Sequence, residues 1–176
     1  MSVTALIVAA GRGTRAGGDI PKQYQSLAGM PILSHTLRAL ASHPRVSATV
    51  LVVHPDDRAG HLAKVTLPQG TILVDGGATR DASVRAGLAA LPDGTAEVLI
   101  HDAARPLLAH DVIERVLVAL CNHPGAAPAL PVTDALWRGS FQAKILRLRA
   151  APNSGACPAA EPAASPLPPA GRTPAT

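Results

Sequence analysis

Val3-Thr4-Ala5-Leu6-Ile7-Val8, running into Ala9-Ala10-Gly11-Arg12-Gly13-Thr14-Arg15-Ala16-Gly17-Gly18, is the stretch on which the fold turns. Its first six residues are a nearly continuous apolar run closed by glycines, the pattern of a strand buried on both faces. Glycines let the backbone approach a ligand closely, and successive N–H groups in such a loop form a nest for phosphate oxygens. The loop therefore offers a cradle to a phosphate group. On glycine content alone, a plain strand-to-helix turn fits equally well.

The same signal repeats further along the chain. Ala48-Thr49-Val50-Leu51-Val52-Val53 is a continuous apolar strand closed by His54-Pro55, Thr71-Ile72-Leu73-Val74 another closed by Asp75-Gly76-Gly77, and Glu97-Val98-Leu99-Ile100 a fourth that runs into His101-Asp102. Between them, Ile32, Leu33, Thr36, Leu37 and Leu40 fall at helical spacing, as do Val84, Gly87, Leu88 and Leu91. Val112, Ile113, Val116, Leu117 and Leu120 do so again, with Asp111 as the expected N-cap. Apolar strands alternating with helices predict an α/β fold, a Rossmann-like, mostly parallel sheet covered on both faces. In such sheets ligands sit beyond the C-terminal ends of the strands. The polar clusters that close these strands lie at such ends.

Two familiar phosphate motifs are excluded. No Gly-Lys-Ser/Thr tripeptide occurs, so there is no Walker loop. Gly11-x-Gly13-x-x-Ala16 matches the dinucleotide fingerprint formally, but Gly17-Gly18 and Pro21 break the helix it needs, and no acidic residue lies between Asp19 and Asp56. Instead, the loop leads into Pro21-Lys22-Gln23-Tyr24. Pro21 fixes its own φ, so Lys22 stands on a constrained turn seven residues after Arg15. Two cations beside a phosphate cradle suit a reaction that builds negative charge at phosphorus. The plainer alternative is that either side chain solvates the surface.

With those residues quoted, the opening of the chain resembles that of the 2-C-methyl-D-erythritol 4-phosphate cytidylyltransferase family. The glycine loop is shared with a broader nucleotidyltransferase superfamily, whereas Pro21-Lys22-Gln23-Tyr24 is narrower. The resemblance continues in Asp75-Gly76-Gly77-Ala78-Thr79-Arg80-Asp81-Ala82-Ser83-Val84 and in His101-Asp102-Ala103-Ala104-Arg105-Pro106. It implies that Ala9, Ala10, Gly11 and Gly13 bind the nucleotide, that Gly77 and Ser83 lie against its cytosine end, that Asp102 binds Mg²⁺, and that Arg105 holds the phosphate of the second substrate. Lys22 and Arg15 would be the catalytic cations. His101 is expected to orient its loop. The implied reaction is attack by a phosphate oxygen of the sugar-alcohol phosphate on the α-phosphorus of CTP, with loss of pyrophosphate. A relative acting on ribitol 5-phosphate shares much of the pattern; the residue before Arg105 favours the methylerythritol substrate. A non-catalytic nucleotide-binding fragment is the reading from another class.

The resemblance runs from residue 3 to about 138, which sets an expected domain of 1–138 and a tail of 139–176. From Ala151 to Thr176, 7 of 26 residues are Pro and 8 are Ala, a composition unable to bury enough surface to offset its ordering entropy. The tail reads as weakly structured, and its abrupt onset suggests coding sequence in a shifted frame. The family is homodimeric, and its projecting dimer arm and second metal-binding aspartate are not recognisable here, so weak CTP binding and impaired turnover are expected. Nor is the Asp-x-His motif of a fused cyclodiphosphate synthase domain.

Charge sits mainly in the same tail. Residues 1–138 hold 12 Lys+Arg against 11 Asp+Glu, a net of +1, while the remaining 4 against 1 give +3. With aromatics at 2% and no basic stripe, nucleic acid is not an expected partner. The apolar run Ala5–Ala10 is too short to span a bilayer and is wrongly flanked for a signal peptide. Cys121 and Cys157 form no CxxC pair and read as free thiols, which suits a reducing cytoplasm.

Overall fold

A computed structural model of the chain describes residues 2–12 and 20–130. The chain divides into two compact units, Met1–Glu114 and Arg115–Thr176. The expected boundary near 138 and the tail beyond it lie outside the described residues, as does the frame-shift reading.

The first unit is organised by four parallel strands: β1 (Ser2–Ala9), β4 (Val46–Val53), β5 (Ile72–Asp75) and β6 (Thr95–Asp102), in the spatial order β5-β4-β1-β6. A hairpin of β2 (Ser26–Leu27) and β3 (Met30–Pro31) precedes helix α1 (Ile32–Ala41), and helix α2 (Arg80–Ala89) joins β5 to β6. The chain moves one way across the sheet from β1 to β4 and β5, then α2 carries it back past β4 and β1 to β6. Right-handed crossovers in opposite directions put α1 and α2 on opposite faces. The order reverses between β1 and β6, which makes the crevice at their C-terminal ends the topological switch point.

The near-continuous apolar strands follow from this double cover. Leu6, Val50 and Val52 form one buried cluster with Leu88 and Leu91 packed against it. There α2 approaches closely: a Cβ on Gly87 would sit 2.8 Å from Val52 and 2.9 Å from Leu6. Val3, Ala5, Ile7, Leu51 and Val53 alternate onto the other face and are buried with Leu33, Leu37 and Leu40 of α1. Completely burying each such side chain contributes roughly 1.5–3 kcal/mol. A core of Val, Leu, Ile and Ala thus carries the fold without aromatics.

The strand and helix pattern read from sequence holds, with three differences. Helix α3 (His110–Leu120) begins before Asp111, which lies in its first turn rather than at its N-cap. The β2–β3 hairpin, turned through Ala28 and Gly29 at positive φ, was not anticipated, because two-residue strands carry no periodicity. Cys121 is disulfide-bonded rather than a free thiol, so cysteine usage gives no argument for a reducing compartment. Among the described residues no helix is long and apolar enough to cross a membrane.

Candidate active site

Parallel register aligns the strand ends in a row. Asp75 pairs with Val53, Val53 with Ala9, and Val8 with Asp102. At about 4.8 Å per strand, the row from Asp75 to Asp102 spans roughly 14 Å. The glycine loop leaves from its middle, at β1.

The loop is held from below by the turn after it. Pro21, at φ −56°, starts a tight turn over Lys22–Tyr24 that buries Gln23 and Tyr24 and leaves Lys22 exposed. Gln23 Nε2 donates to the carbonyls of Ala9 at 2.7 Å and Gly11 at 3.0 Å, which ties the turn to the loop. Lys22 therefore stands next to the loop. Its ammonium makes no hydrogen bond or ion pair among the described residues. Gly11 is exposed, and a Cβ there would meet nothing within 4 Å, so packing does not demand its glycine. Arg15 and Gly13 lie outside the described residues.

The β5–α2 loop shows why its glycines are present. Gly76 N donates to Val53 O at 2.8 Å, and a Cβ on Gly76 would collide with the Cβ of Ala10. A Cβ on Gly77 would sit 2.5 Å from that of Ala82. Ser83 is buried; its Oγ accepts from Gly77 N at 3.1 Å and donates to Thr79 O at 2.9 Å. Thr79 caps α2 by accepting from Ala82 N at 3.1 Å. Gly77 and Ser83, the residues expected against the nucleotide, are joined to each other by these bonds, which shape the loop that carries them.

At the β6 end, Ala103 N donates to Val8 O at 3.0 Å, and the buried Thr36 hydroxyl of α1 donates to Ala103 O at 2.8 Å. His101 Nε2 lies 2.9 Å from Arg105 O, which orients the loop as the sequence suggested. Asp102 is flanked by two arginines: Arg80 Nη2 donates to Oδ1 at 2.9 Å and Arg105 Nε to Oδ2 at 3.1 Å. Partial burial pushes the Asp102 carboxyl up, but the Arg80 hydrogen bond and the charges of Arg80, Arg105 and His101 outweigh it. The net effect holds Asp102 below its usual range. Arg80 was not among the residues singled out from sequence. Its place in the first turn of α2, facing the β6 tip across the sheet, is a product of topology that linear spacing does not show.

Asp102 is ionised and about one-third exposed. Among the described residues no group of three His, Cys, Asp or Glu could enclose a metal. A single ionised carboxylate fits Mg²⁺, which takes one or two protein carboxylates and completes its shell with phosphate oxygens and water. Zinc-type enclosure does not fit.

A doubly wound sheet with a glycine loop, an ionised aspartate and free or exchangeable cations at its switch point defines a nucleotide-handling α/β protein of nucleotidyltransferase type. Comparison with known proteins makes the assignment specific. The family model for IspD, 2-C-methyl-D-erythritol 4-phosphate cytidylyltransferase, matches residues 3–150, and the chain belongs to that family. The match extends past the limit near 138 expected from the motifs. The enzyme of that name from Cereibacter sphaeroides is 60% identical over 141 residues, covering 79% of this chain and 63% of its own length. The bifunctional enzyme IspD/IspF of Rhodospirillum rubrum is 53% identical over 144 residues, covering 78% of this chain and 36% of that protein. The crystal structure of the Thermus thermophilus cytidylyltransferase superposes with a TM-score of 0.58 at 32% identity, covering 80% of this chain and 60% of that one. The chain thus spans less than two-thirds of the length of these relatives.

Proposed function

We propose that this chain transfers CMP from CTP to 2-C-methyl-D-erythritol 4-phosphate with release of pyrophosphate. The observation that carries this reading is the row of strand tips at the switch point, with the glycine loop at its centre and an ionised Asp102 between Arg80 and Arg105 at its edge. The names of its relatives supply the nucleotide and the acceptor.

In this reading, Ala9, Ala10, Gly11 and Gly13 bring the backbone against the nucleotide, and Gly11 has room beside it for close approach. Gly77 and Ser83 fix the loop whose backbone meets the base. Lys22 and Arg15 neutralise charge around the α-phosphorus as the acceptor phosphate oxygen attacks it and pyrophosphate leaves. Arg105, with its exposed guanidinium, binds the acceptor phosphate. Asp102 would hold Mg²⁺, which when bound supplies further charge neutralisation to the triphosphate. No side-chain nucleophile is required, because positioning and charge neutralisation account for catalysis of this kind.

The deciding experiment measures pyrophosphate release with CTP, Mg²⁺ and the acceptor, beside calorimetric titration with CTP. Turnover abolished by Lys22→Ala supports the proposal. Binding without turnover would leave a nucleotide-binding protein without catalysis, and absence of both signals would overturn the reading.

A further inference from the structure

We propose that Arg12 is a positioning residue that staples the glycine loop to the turn after β4 and so presets the backbone on which a nucleotide phosphate rests. The proposal deepens the nucleotide-binding reading and rests on it for its ligand. Arg12 lies inside the loop, where an arginine is easily taken for a phosphate ligand. Both terminal nitrogens are engaged by protein: Nη1 donates to Asp57 Oδ1 at 2.9 Å, and Nη2 donates to Asp56 Oδ2 at 2.7 Å and lies 2.8 Å from His54 Nδ1. All three partners come directly after β4, and His54 Nδ1 also accepts from Asp56 N at 3.3 Å. His54 therefore serves the staple with an unprotonated Nδ1.

The Asp57 side chain is 1% exposed. Among the described residues Arg12 is its only side-chain hydrogen-bond partner, and Asp57 Oδ2 and the nearby Tyr24 hydroxyl are both buried without a hydrogen bond. Burial, and then the charge of Asp57, push the Tyr24 phenol up, with Arg12 opposing. A buried carboxylate held by one guanidinium is a costly arrangement if its purpose is stability alone. Its geometry has a further result. Residues 9–12 are gripped from three sides: Gln23 holds the carbonyls of Ala9 and Gly11, Gly76 packs on Ala10, and the β4 turn holds Arg12. Gly11, between the grips, is the residue with open space beside it. A loop ordered in advance spares the binding step that ordering cost. Arg12 is thereby committed to the β4 turn, whereas Lys22, on the turn beside the loop, has no ion-pair partner among the described residues.

The test must separate positioning from fold stability, since Arg12→Ala alone strands the Asp57 charge. Arg12→Ala/Asp57→Asn removes staple and stranded charge together. Arg12→Lys keeps a charge on Asp57 but cannot reproduce a planar fork reaching three acceptors. Amide hydrogen exchange is followed in peptides covering residues 9–22 and in β1 and β4 peptides, and CTP affinity is measured in parallel. We expect exchange in the 9–22 peptides to rise about tenfold in both variants with β1 and β4 unchanged. CTP Kd should rise about tenfold while the thermal midpoint of the double variant stays at the wild-type value. Unchanged loop exchange, or acceleration spread equally over the strands, overturns the staple. If the wild-type chain does not bind CTP, the proposed function fails, and the exchange comparison still decides the role of Arg12.

Discussion

The two ends of the parallel sheet carry the same kinds of side chain and use them differently. At the N-terminal ends, Arg45 lies 3.6 Å from Glu97 and 3.4 Å from Glu114, and His43 lies 3.2 Å from Glu114 and stacks edge-on against His110. Glu97 is 8% exposed and His43 only 2%, so this cluster is anchored on buried groups, with Glu114 at its solvent edge. At the C-terminal ends the Asp102 side chain is 35% exposed, and those of Arg80 and Arg105 are 64% and 75% exposed. A cluster of charges does not by itself mark a site. The C-terminal end differs because none of its three ions is buried, so each can exchange a protein partner for a ligand.

Substitutions at the two ends should therefore separate activity from stability. Asp102→Asn should lower pyrophosphate release by about 10²–10³-fold, the loss typical of one preorganised charge-stabilising group. Its urea midpoint should barely move, since exposed ion pairs contribute about 0–1 kcal/mol. Near-normal turnover in that variant would erase the contrast. Arg45→Ala should do the reverse, stranding Glu97 and costing about 3 kcal/mol in urea unfolding while CTP affinity stays put. A smaller effect is expected where backbone and packing meet: Gly76→Ala forces its new methyl into Ala10 and should cost about 1–3 kcal/mol. Ala10→Gly in the same chain should recover most of that loss, as measured by thermal melting.

The smallest effect is in pH dependence, and it falls in different windows at the two ends. Burial first, with the charges of His110 and Arg45, lowers the His43 pKa from 6.5 against the opposing pull of Glu114. The unfolded chain thus takes up this proton before the folded one, so stability declines as pH falls below 6.5, until the native His43 also protonates. Asp102, held below its usual value, stabilises the fold above about pH 4, and that contribution fades only as pH falls through its lower native pKa. Urea titrations from about pH 7 to 5 should show a decline that His43→Gln removes and Asp102→Asn leaves intact.

The sequence disclosed those features that are local or periodic. Val50–Val53 and Leu6–Val8 could be read as doubly covered strands because burial on both faces writes itself as an unbroken apolar run. The turn that carries Lys22 could be read because Pro21 fixes its start. Arg80 and Arg12 could not be assigned, because their partners lie 22 and 42–45 residues away and are met only through the sheet order. Ser83 shows the same limit. A serine in a first helical turn looks the same in sequence whether its hydroxyl faces a ligand or closes its own loop onto Gly77.

Tyr24, buried beneath the glycine loop, stacks on His61 at a ring separation of 5.2 Å and senses the charges of Asp57 and Arg12. The chain's other aromatic side chains are Trp137 and Phe141, so the main sheet unit contains a single phenol. The protein thereby carries its own optical label at the place where the loop is anchored. Ultraviolet difference spectra of that phenol would report disturbance of the anchor without any dye, tag or engineered fluorophore.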